Sequence, residues 1–220
     1  QNPNLTELFN KCSDGLYSVE PASVLRLGFY PHSCTAYYQP AEFSQEEQQG
    51  VDNILKAKGI RIENTIIIRN DERNRYEVSI ASIDIDNEGQ EVGEFKGKKV
   101  VITKGRLSEV LKKVNHWLQL AHDNAENETQ KKMIAALIEH YQTGSIEKHE
   151  EFSEQWVHDT TMTVEMHHGF IESYRDPSGV RCEYEGFAAA VDPKESECLH
   201  DYVNNSAAIL GTLPYPKEYE

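Results

Sequence analysis

The sequence predicts an α+β fold in which a small antiparallel β-barrel-like sheet carries flanking helices. Apolar residues recur at helical spacing in several stretches of the 220-residue chain. Short apolar runs of strand length lie between the first of these stretches. A polar turn between two extended segments, here called the ribbon, occupies residues 169–187. These features divide the chain into a helical segment at 1–28, a sheet segment at 29–105, helices with the ribbon at 106–192, and a final helix at 193–220.

Composition excludes several classes of function. The formal net charge is −15, which argues against nucleic-acid binding because that requires lysine and arginine to replace counterions. No apolar run approaches the roughly 18 residues of a membrane helix. The 4 cysteines are widely spaced and form no CxxC pair, so we expect free thiols in a reducing compartment. The sequence therefore predicts a cytoplasmic protein that binds neither nucleic acid nor membrane.

The first 43 residues are predicted to combine short helices with irregular chain. Apolar residues at helical spacing behind a proline predict a helix over 3–12. Glu20 and Pro21 open another short helical turn. Two prolines interrupt residues 29–43, where we expect one short strand at 35–38.

A capping box then marks a helix with a defined start and end. The Ser44 side chain can accept from the backbone amide three residues on, while Glu47 reaches back to the amide of Ser44. The apolar stripe that follows ends at Gly59, and glycine favours the left-handed conformation that closes helices.

Three strands are predicted after this helix, at 65–69, 76–85 and 95–103. In the second strand the apolar phase slips between Ile80 and Ile83, which indicates a β-bulge. The third strand is expected to bend at Gly97. We expect these strands to pair as a small antiparallel sheet.

Helices dominate the rest of the chain. Ser108, Thr129 and Ser145 each precede an apolar stripe and are predicted to cap a helix. Asp192 followed by Pro193 is typical of the start of a further helix. The aromatic and methionine residues on these stripes are expected to belong to the core.

The ribbon is centred on a turn. Asp176, Pro177 and Gly179 occupy the first, second and fourth positions of a type I turn signal. The flanking segments 170–174 and 180–187 are predicted to be extended.

Strand geometry sorts the side chains of the ribbon. Glu172 and Tyr174 are expected on one face, with Ile171 on the other, and Glu185 lies on the second extended segment. Polar and aromatic groups along an extended ribbon could hold an extended peptide. The alternative is an ordinary hairpin with a solvated charged face.

The letters of the ribbon, GFIESYRDP followed by EYEGF, resemble the signature segment of the dipeptidyl peptidase III family of zinc peptidases. Three further segments resemble the family in the same order, YEVSIAS at 76–82, GSIE at 144–147 and LPYP at 213–216. The resemblance implies one lobe of a two-lobed enzyme that releases dipeptides from the N terminus of short oligopeptides. It also implies zinc as the cofactor of the full-length parent.

The resemblance implies substrate-binding roles for the ribbon. An extended substrate would pair with strand 170–174 by β-augmentation, in which main-chain hydrogen bonds supply affinity. By this resemblance Glu172 contacts the free amino group of the substrate and Tyr174 lies near its backbone. Ile171 belongs to the same strand, and Glu185 matches an acid near the cleft.

The zinc motif of the family, HExxGH, is absent from the chain. No two histidines stand four residues apart on a predicted helix, and the adjacent His167 and His168 would point to opposite faces of a strand. We therefore expect no metal site and no catalytic residue in this chain, which would be an inactive fragment that lacks the catalytic lobe. The final helix would then be left with exposed apolar residues, and self-association is expected through Leu199, Tyr202, Val203 and Leu210.

Three alternatives remain open from the sequence. Glu172 could form a structural ion pair with Arg175 or Arg181 instead of contacting a substrate. The chain could be a non-catalytic peptide-binding protein that has no zinc lobe. A glycosidase that uses Glu172 and Glu185 would require their carboxyl groups about 5–10 Å apart across a sugar-sized groove.

Overall fold

The computed structural model describes residues 3–19, 25–161 and 163–214. The helical turn predicted at Glu20 and Pro21, and the end of the family-like segment at 215–216, lie outside these ranges. The chain divides into two compact units. The first comprises Gln1–Asp159 with His168–Glu185, and the second comprises Thr160–His167 with Gly186–Glu220.

The structure confirms the α+β class. The described residues form seven helices, α1 (Pro3–Tyr17), α2 (Gln45–Ala57), α3 (Ser108–Asp123), α4 (Glu128–Thr143), α5 (Ile146–His158), α6 (Pro193–Asn204) and α7 (Ser206–Leu210). Seven strands accompany them, β1 (Tyr38–Gln39), β2 (Thr65–Asn70), β3 (Arg75–Ala81), β4 (Asp86–Phe95), β5 (Lys98–Arg106), β6 (Val164–Glu172) and β7 (Glu183–Ala190).

The main sheet is mixed, so the prediction of an antiparallel sheet was wrong. Its five strands follow the order β1-β2-β3-β5-β4. The β2–β3 and β4–β5 pairs are antiparallel, whereas the β1–β2 and β3–β5 pairs are parallel. The sheet is open at β1 and β4 and does not close into a barrel.

A hairpin explains the mixed pairing. The predicted bent strand at 95–103 is in fact the end of β4 and the start of β5. Lys96 and Gly97 join them, with positive φ angles of 50° and 74° that suit a two-residue hairpin turn. Because β4 runs back between β3 and β5 in the chain, β5 has the same direction as β3 and pairs with it in parallel.

Part of the predicted strand 76–85 is confirmed. The pairing of β3 with β5 shifts register between Ile80 and Ala81, close to the predicted bulge. The strand ends there, at Ala81, and does not continue to residue 85. The short strand expected at 35–38 is also displaced, because β1 covers Tyr38–Gln39.

Helix α2 packs its apolar stripe on the main sheet. Val51 and Leu55 are fully buried in one cluster with Ile67, Val78 and Val100 of the central strands. Burial of such side chains contributes roughly 1.5–3 kcal/mol each to stability. This cluster fixes the sheet that carries one wall of the candidate site.

The helix starts follow the predicted chemistry with two exceptions. The capping box at the start of α2 is present, and Ser145 and Asp192 cap α5 and α6. Asn127, not Thr129, caps α4, because α4 begins at Glu128. Ser108 is the first residue of α3, and its hydroxyl donates to the Ile83 carbonyl at 2.9 Å.

The second unit contains α6 and α7, neither of which has a buried residue. Apolar residues of this unit are more than half exposed at Leu199 (64%), Tyr202 (62%) and Val203 (68%). In the described part of the chain, no helix combines the length and apolar character that a bilayer crossing requires. All four cysteines are free thiols.

Candidate functional site

The ribbon consists of β6, β7 and the loop 173–182 between them. The two strands pair in a sheet of their own. β6 ends at Glu172, so Tyr174 lies in the loop and not on the predicted strand 170–174. The second strand starts at Glu183, three residues later than predicted. The loop end of the ribbon, His168–Glu185, belongs to the first compact unit.

Asp176 organises the predicted turn. The backbone amide of Gly179 donates to the Asp176 carbonyl at 2.8 Å, which closes the turn. The Asp176 carboxylate accepts from the backbone amides of Ser178, Val180 and Arg181 at 3.0, 3.1 and 2.8 Å. Burial raises the pKa of this carboxyl, but its hydrogen bonds outweigh burial and hold the pKa below its usual range.

Arg181 anchors the loop to the rest of the unit. The side chain is fully buried and its guanidinium binds the Asp52 carboxylate with two hydrogen bonds of 2.7 and 3.0 Å. It also donates to the Tyr38 hydroxyl at 3.2 Å, and that hydroxyl donates to Asp176 at 2.6 Å. A forked, charge-assisted pair of this kind fixes both distance and orientation. The loop is therefore held rigidly on α2 and β1.

The structure does not support the alternative that Glu172 pairs with a neighbouring arginine. Arg175 forms its ion pair with Glu183, at 3.0 Å, and Arg181 is committed to Asp52. Within residues 3–19, 25–161 and 163–214, no hydrogen bond or ion pair reaches the Glu172 carboxylate. This carboxylate is therefore available to a ligand.

The charges of three carboxylates act on Tyr174, and we call Glu172, Glu183 and Glu185 the acidic cluster. The negative charge of Glu172 is the main cause that raises the pKa of Tyr174, with contributions from burial, Glu185 and Glu183. Tyr174 is 74% exposed, so its hydroxyl also faces solvent. The structure thus brings three of the four predicted site residues together. Ile171, the fourth, is partly buried in β6 next to Glu172.

An aromatic cluster supports the ribbon from α4. The Nδ1 atom of His168 lies 2.9 Å from the Tyr141 hydroxyl and 3.1 Å from the Tyr184 hydroxyl. Phe170 packs edge-on against Tyr184, with ring centres 5.5 Å apart. These contacts hold both strands of the ribbon on the fully buried Tyr141.

Gly169 allows β6 to approach α5 closely. A Cβ atom at this position would lie 2.3 Å from the ring of His149, which is closer than real Cβ contacts. Only glycine therefore fits without displacement of the imidazole. The glycine in the GFIESYRDP segment thus has a packing reason that is independent of any ligand.

A cavity of about 560 Å³ lies beside the loop end of the ribbon. Phe170 and Tyr184 form its ribbon wall, and Tyr37 and Arg106 contribute from the segment before β1 and from β5. Sequence reasoning missed this cavity, because its walls come from segments far apart in the chain. No local motif marks Tyr37 or Arg106 as cavity residues.

Comparison with known proteins places the chain in a family. Residues 8–220 match the family model described as Peptidase family M49. The chain belongs to Peptidase family M49. The predicted resemblance, which rested on the ribbon and three shorter segments, is thereby confirmed.

The relatives of this M49 chain carry a common name. It is 33% identical to dipeptidyl peptidase 3 of Nematostella vectensis, over 99% of this chain and 32% of that protein. It is 32% identical to dipeptidyl peptidase 3 of Homo sapiens, over 97% of this chain and 30% of that protein. The M49 chain thus spans about a third of the length of the curated relatives that it matches.

A solved structure shares the fold. DPP III from Caldithrix abyssi has a TM-score of 0.55 and 21% identity, over 97% of this chain and 40% of that chain. At this identity the likeness concerns the fold alone.

The described residues of the M49 chain do not fit a zinc site. In the ranges that the structure describes, no group of three or more histidine, cysteine, aspartate or glutamate side chains is placed to hold a metal ion. The Nδ1 atom of His140 is bonded to the Ser145 carbonyl at 2.6 Å, and that of His168 is bonded to tyrosine hydroxyls. We therefore assign no metal-dependent step to these residues.

Cys182, at the cavity wall, is not suited to nucleophilic catalysis. Burial raises the pKa of its thiol to about 11, with further contributions from the charges of Glu63, Asp176 and Glu172. A reactive cysteine needs a lowered pKa, because the thiolate is the nucleophile. The described side chains of the site are carboxylates, aromatic rings and arginines.

Proposed function

We propose that this M49 chain is the substrate-binding lobe of a cytosolic dipeptidyl peptidase that releases dipeptides from the N terminus of short oligopeptides. Family membership and the names of the relatives support a peptidase over a non-catalytic binding protein or a glycosidase. The observation that carries the proposal is the Glu172 carboxylate, which has no ion-pair partner among the described residues and lies beside Tyr174.

The ribbon offers an edge to an extended peptide. In the described part of the chain, β6 and β7 pair only with each other, so each strand keeps one edge unpaired. A peptide that adds to such an edge gains main-chain hydrogen bonds irrespective of its sequence. The anchored loop at Arg181 holds the end of that edge in place.

The acidic cluster favours a free N terminus. The α-ammonium group of a peptide would neutralise part of the repulsion among Glu172, Glu183 and Glu185. A charge-assisted hydrogen bond from the ammonium to Glu172 is worth about 1.5–3 kcal/mol when sheltered from water. Tyr174 would donate its hydroxyl to the peptide backbone, and Ile171 would contact the peptide as part of the same strand. Such a site selects N-terminal over internal peptide segments.

Catalysis itself is assigned to residues outside the described part of this chain. We propose that the complete peptidase depends on zinc and that the chain alone does not hydrolyse peptides. Its described side chains bind and position the substrate.

Substitution of Glu172 by glutamine in the complete peptidase tests the proposal. Glu172→Gln keeps the shape and one acceptor oxygen but removes the charge. We expect kcat/KM for peptides with a free N terminus to fall by about one to two orders of magnitude, at ~1.4 kcal/mol per decade. An increase in KM alone indicates uniform binding, and a decrease in kcat indicates that Glu172 sets the position of the scissile bond.

An N-acetylated peptide and an exposed glutamate elsewhere provide controls. The acetylated peptide lacks the ammonium group, so Glu172→Gln should leave its poor turnover almost unchanged. Glu154→Gln, on the exposed face of α5, should affect neither peptide. Equal losses for free and acetylated peptides would assign Glu172 to the support of β6 and would contradict the proposal.

A further inference from the structure

Among the residues that the structure describes, Arg106 is a cation without a counter-anion. Its guanidinium donates one hydrogen bond, to the Asn64 carbonyl at 3.0 Å, and lies 5.6 Å from the centre of the Phe170 ring. Its Nε–H is shielded from solvent and has no hydrogen-bond partner among the described residues. Burial lowers the pKa of Arg106 to about 10, and the only opposing contribution among the described residues comes from Tyr37.

The cavity beside Arg106 is locally positive in a strongly acidic protein. Of the described residues, Arg26, Arg106 and Arg175 line it together with one carboxylate, that of Glu183. Glu183 is already paired with Arg175 at 3.0 Å, so their charges offset each other. Among the described residues at the cavity wall, two arginines therefore remain uncompensated, although the chain as a whole has a net charge of −15.

The unused donors of Arg106 match a carboxylate. A guanidinium presents its N–H groups in a planar fork that binds the two oxygens of a carboxylate. Tyr37 adds a hydroxyl at the same wall, and burial raises its pKa to about 12, so this hydroxyl remains a neutral donor near pH 7. The volume of about 560 Å³ accommodates a glutamate side chain.

The cavity and the acidic cluster share one residue, Glu183. Glu183 lines the cavity, and its charge also raises the pKa of Tyr174. The largest contribution to that increase comes from Glu172. Phe170 and Tyr184 of the ribbon form the adjacent wall. A peptide whose ammonium group reaches Glu172 can therefore extend a side chain toward Arg106.

We propose that this cavity is a carboxylate-binding subsite in which Arg106 receives the acidic side chain of a bound peptide. The inference rests on the proposed peptide-binding function and adds a specificity to it, a preference for glutamate or aspartate at one substrate position. Arg26 supports the subsite by its charge, and Arg106 is the residue that makes the contact.

Binding of matched peptides to the full chain tests the subsite. The probes are pentaalanine amides with a free N terminus, which carry either glutamate or glutamine at each position in turn. By isothermal titration calorimetry, at least one glutamate peptide should bind about tenfold or more tightly than its glutamine partner, as expected for a charge-assisted contact. Arg106→Gln should abolish that ratio.

Arg61→Gln is the matched control. Arg61 is a surface arginine that pairs with Glu63 and Glu150, so its loss removes the same charge without a change in the cavity. The glutamate preference should survive in this variant. A preference that is absent at every position, or that both variants reduce equally, would overturn the subsite. Pentaalanine with a free C-terminal carboxylate forms a further arm, and tighter binding of this peptide alone would overturn the assignment to a side chain.

The two proposals can fail separately. Glu172→Gln should weaken all peptides with a free N terminus and preserve the ratio of glutamate to glutamine peptides. If the chain binds none of the peptides, the proposed function fails. The effect of glutarate on the melting temperature then tests the subsite separately. Glutarate should raise the melting temperature of wild type and of Arg61→Gln but not that of Arg106→Gln.

A measurement on wild type covers the case in which Arg106→Gln does not fold. In nitrogen-15 NMR spectra, glutarate should shift the Nε–H resonance of Arg106 and leave that of Arg181, which is also shielded from solvent, unchanged. Saturable shifts support the subsite, and the absence of any shift overturns it.

Discussion

Two arginines of the first unit, one fully buried and one half-buried, have opposite surroundings. Arg181 is fully buried and its guanidinium is bound by Asp52 and Tyr38. Arg106 lines a cavity and donates one hydrogen bond, to a backbone carbonyl. A buried charge is costly unless it is paired, so the first arrangement holds a structure together and the second retains capacity for a ligand. The difference separates the anchor of the ribbon from its proposed specificity.

Removal of Arg181 should have the largest effect. Arg181→Met leaves Asp52 without its counter-charge and Tyr38 without a donor. Loss of one partner of a buried pair costs about 3–5 kcal/mol of unfolding free energy. Urea denaturation monitored by circular dichroism measures the change.

The surface variant Arg61→Met should cost about 1 kcal/mol or less, because its partners remain solvated. Asp52→Asn combined with Arg181→Met should recover part of the loss. An effect of Arg181→Met as small as that of Arg61→Met would remove the contrast between anchor and surface arginines.

His140 avoids the cost of a buried charge in a third way, because its buried side chain remains neutral. Burial lowers its pKa to about 4 from the ordinary 6.5, and the neighbouring His149 and His168 disfavour its charge further. Because the unfolded chain binds a proton that the folded chain excludes, stability is complete above pH 6.5 and falls as the pH drops toward 4. The loss between pH 7.5 and pH 5 should be about 2 kcal/mol from this group.

His140→Asn should remove that pH-dependent part. Urea denaturation of wild type and variant at the two pH values gives the difference. If the variant loses as much stability as wild type on acidification, other groups cause the acid sensitivity. His122→Asn, on the surface of α3, is the matched control and should retain the full dependence.

Replacement of Arg106 should have a smaller and opposite effect. Arg106→Met removes an uncompensated charge and keeps an apolar contact with Phe170. The Asn64 carbonyl remains satisfied, because it also accepts from the Ala81 amide at 3.0 Å. We expect the unfolding free energy to stay the same or to rise by up to about 1 kcal/mol. A loss of several kcal/mol in the same urea experiment would show that Arg106 is structural, as Arg181 is.

The second unit extends the comparison from charged to apolar groups. Leu199, Tyr202 and Val203 are exposed on α6, and Leu210 on α7 is 50% exposed. We predict that the chain self-associates through these residues at high concentration. Sedimentation velocity should show an oligomer that Leu199→Glu with Val203→Glu disperses, with little change in stability, within about 0.5 kcal/mol. A monomer at all concentrations would contradict the prediction.

The sequence predicted features that are encoded locally. The capping box of Ser44 and Glu47, and the turn opened by Asp176, depend on side chains within a few residues of the backbone groups they bind. The closeness of Glu172 and Tyr174 also follows from their spacing. The dipeptidyl peptidase resemblance could be read from contiguous letters.

The features that were missed depend on contacts distant in sequence. Strand β4, DNEGQEVGEF, is acidic and contains two glycines, so its composition disfavours a strand. It forms because β5 supplies hydrogen-bond partners along its length. The partnership of Asp52 with Arg181 spans 129 residues, and no spacing rule reveals it. The cavity at Arg106 was missed for the same reason, because its walls come from segments that are distant in sequence.

The close contact at Gly169 also limits how β6 can move. A shift of the strand by one residue would bring either the His168 or the Phe170 side chain to the place where even a Cβ meets the imidazole of His149. The same shift would turn Glu172 to the opposite face of the strand. The missing side chain of Gly169 therefore favours the register in which Glu172 keeps its face of the strand.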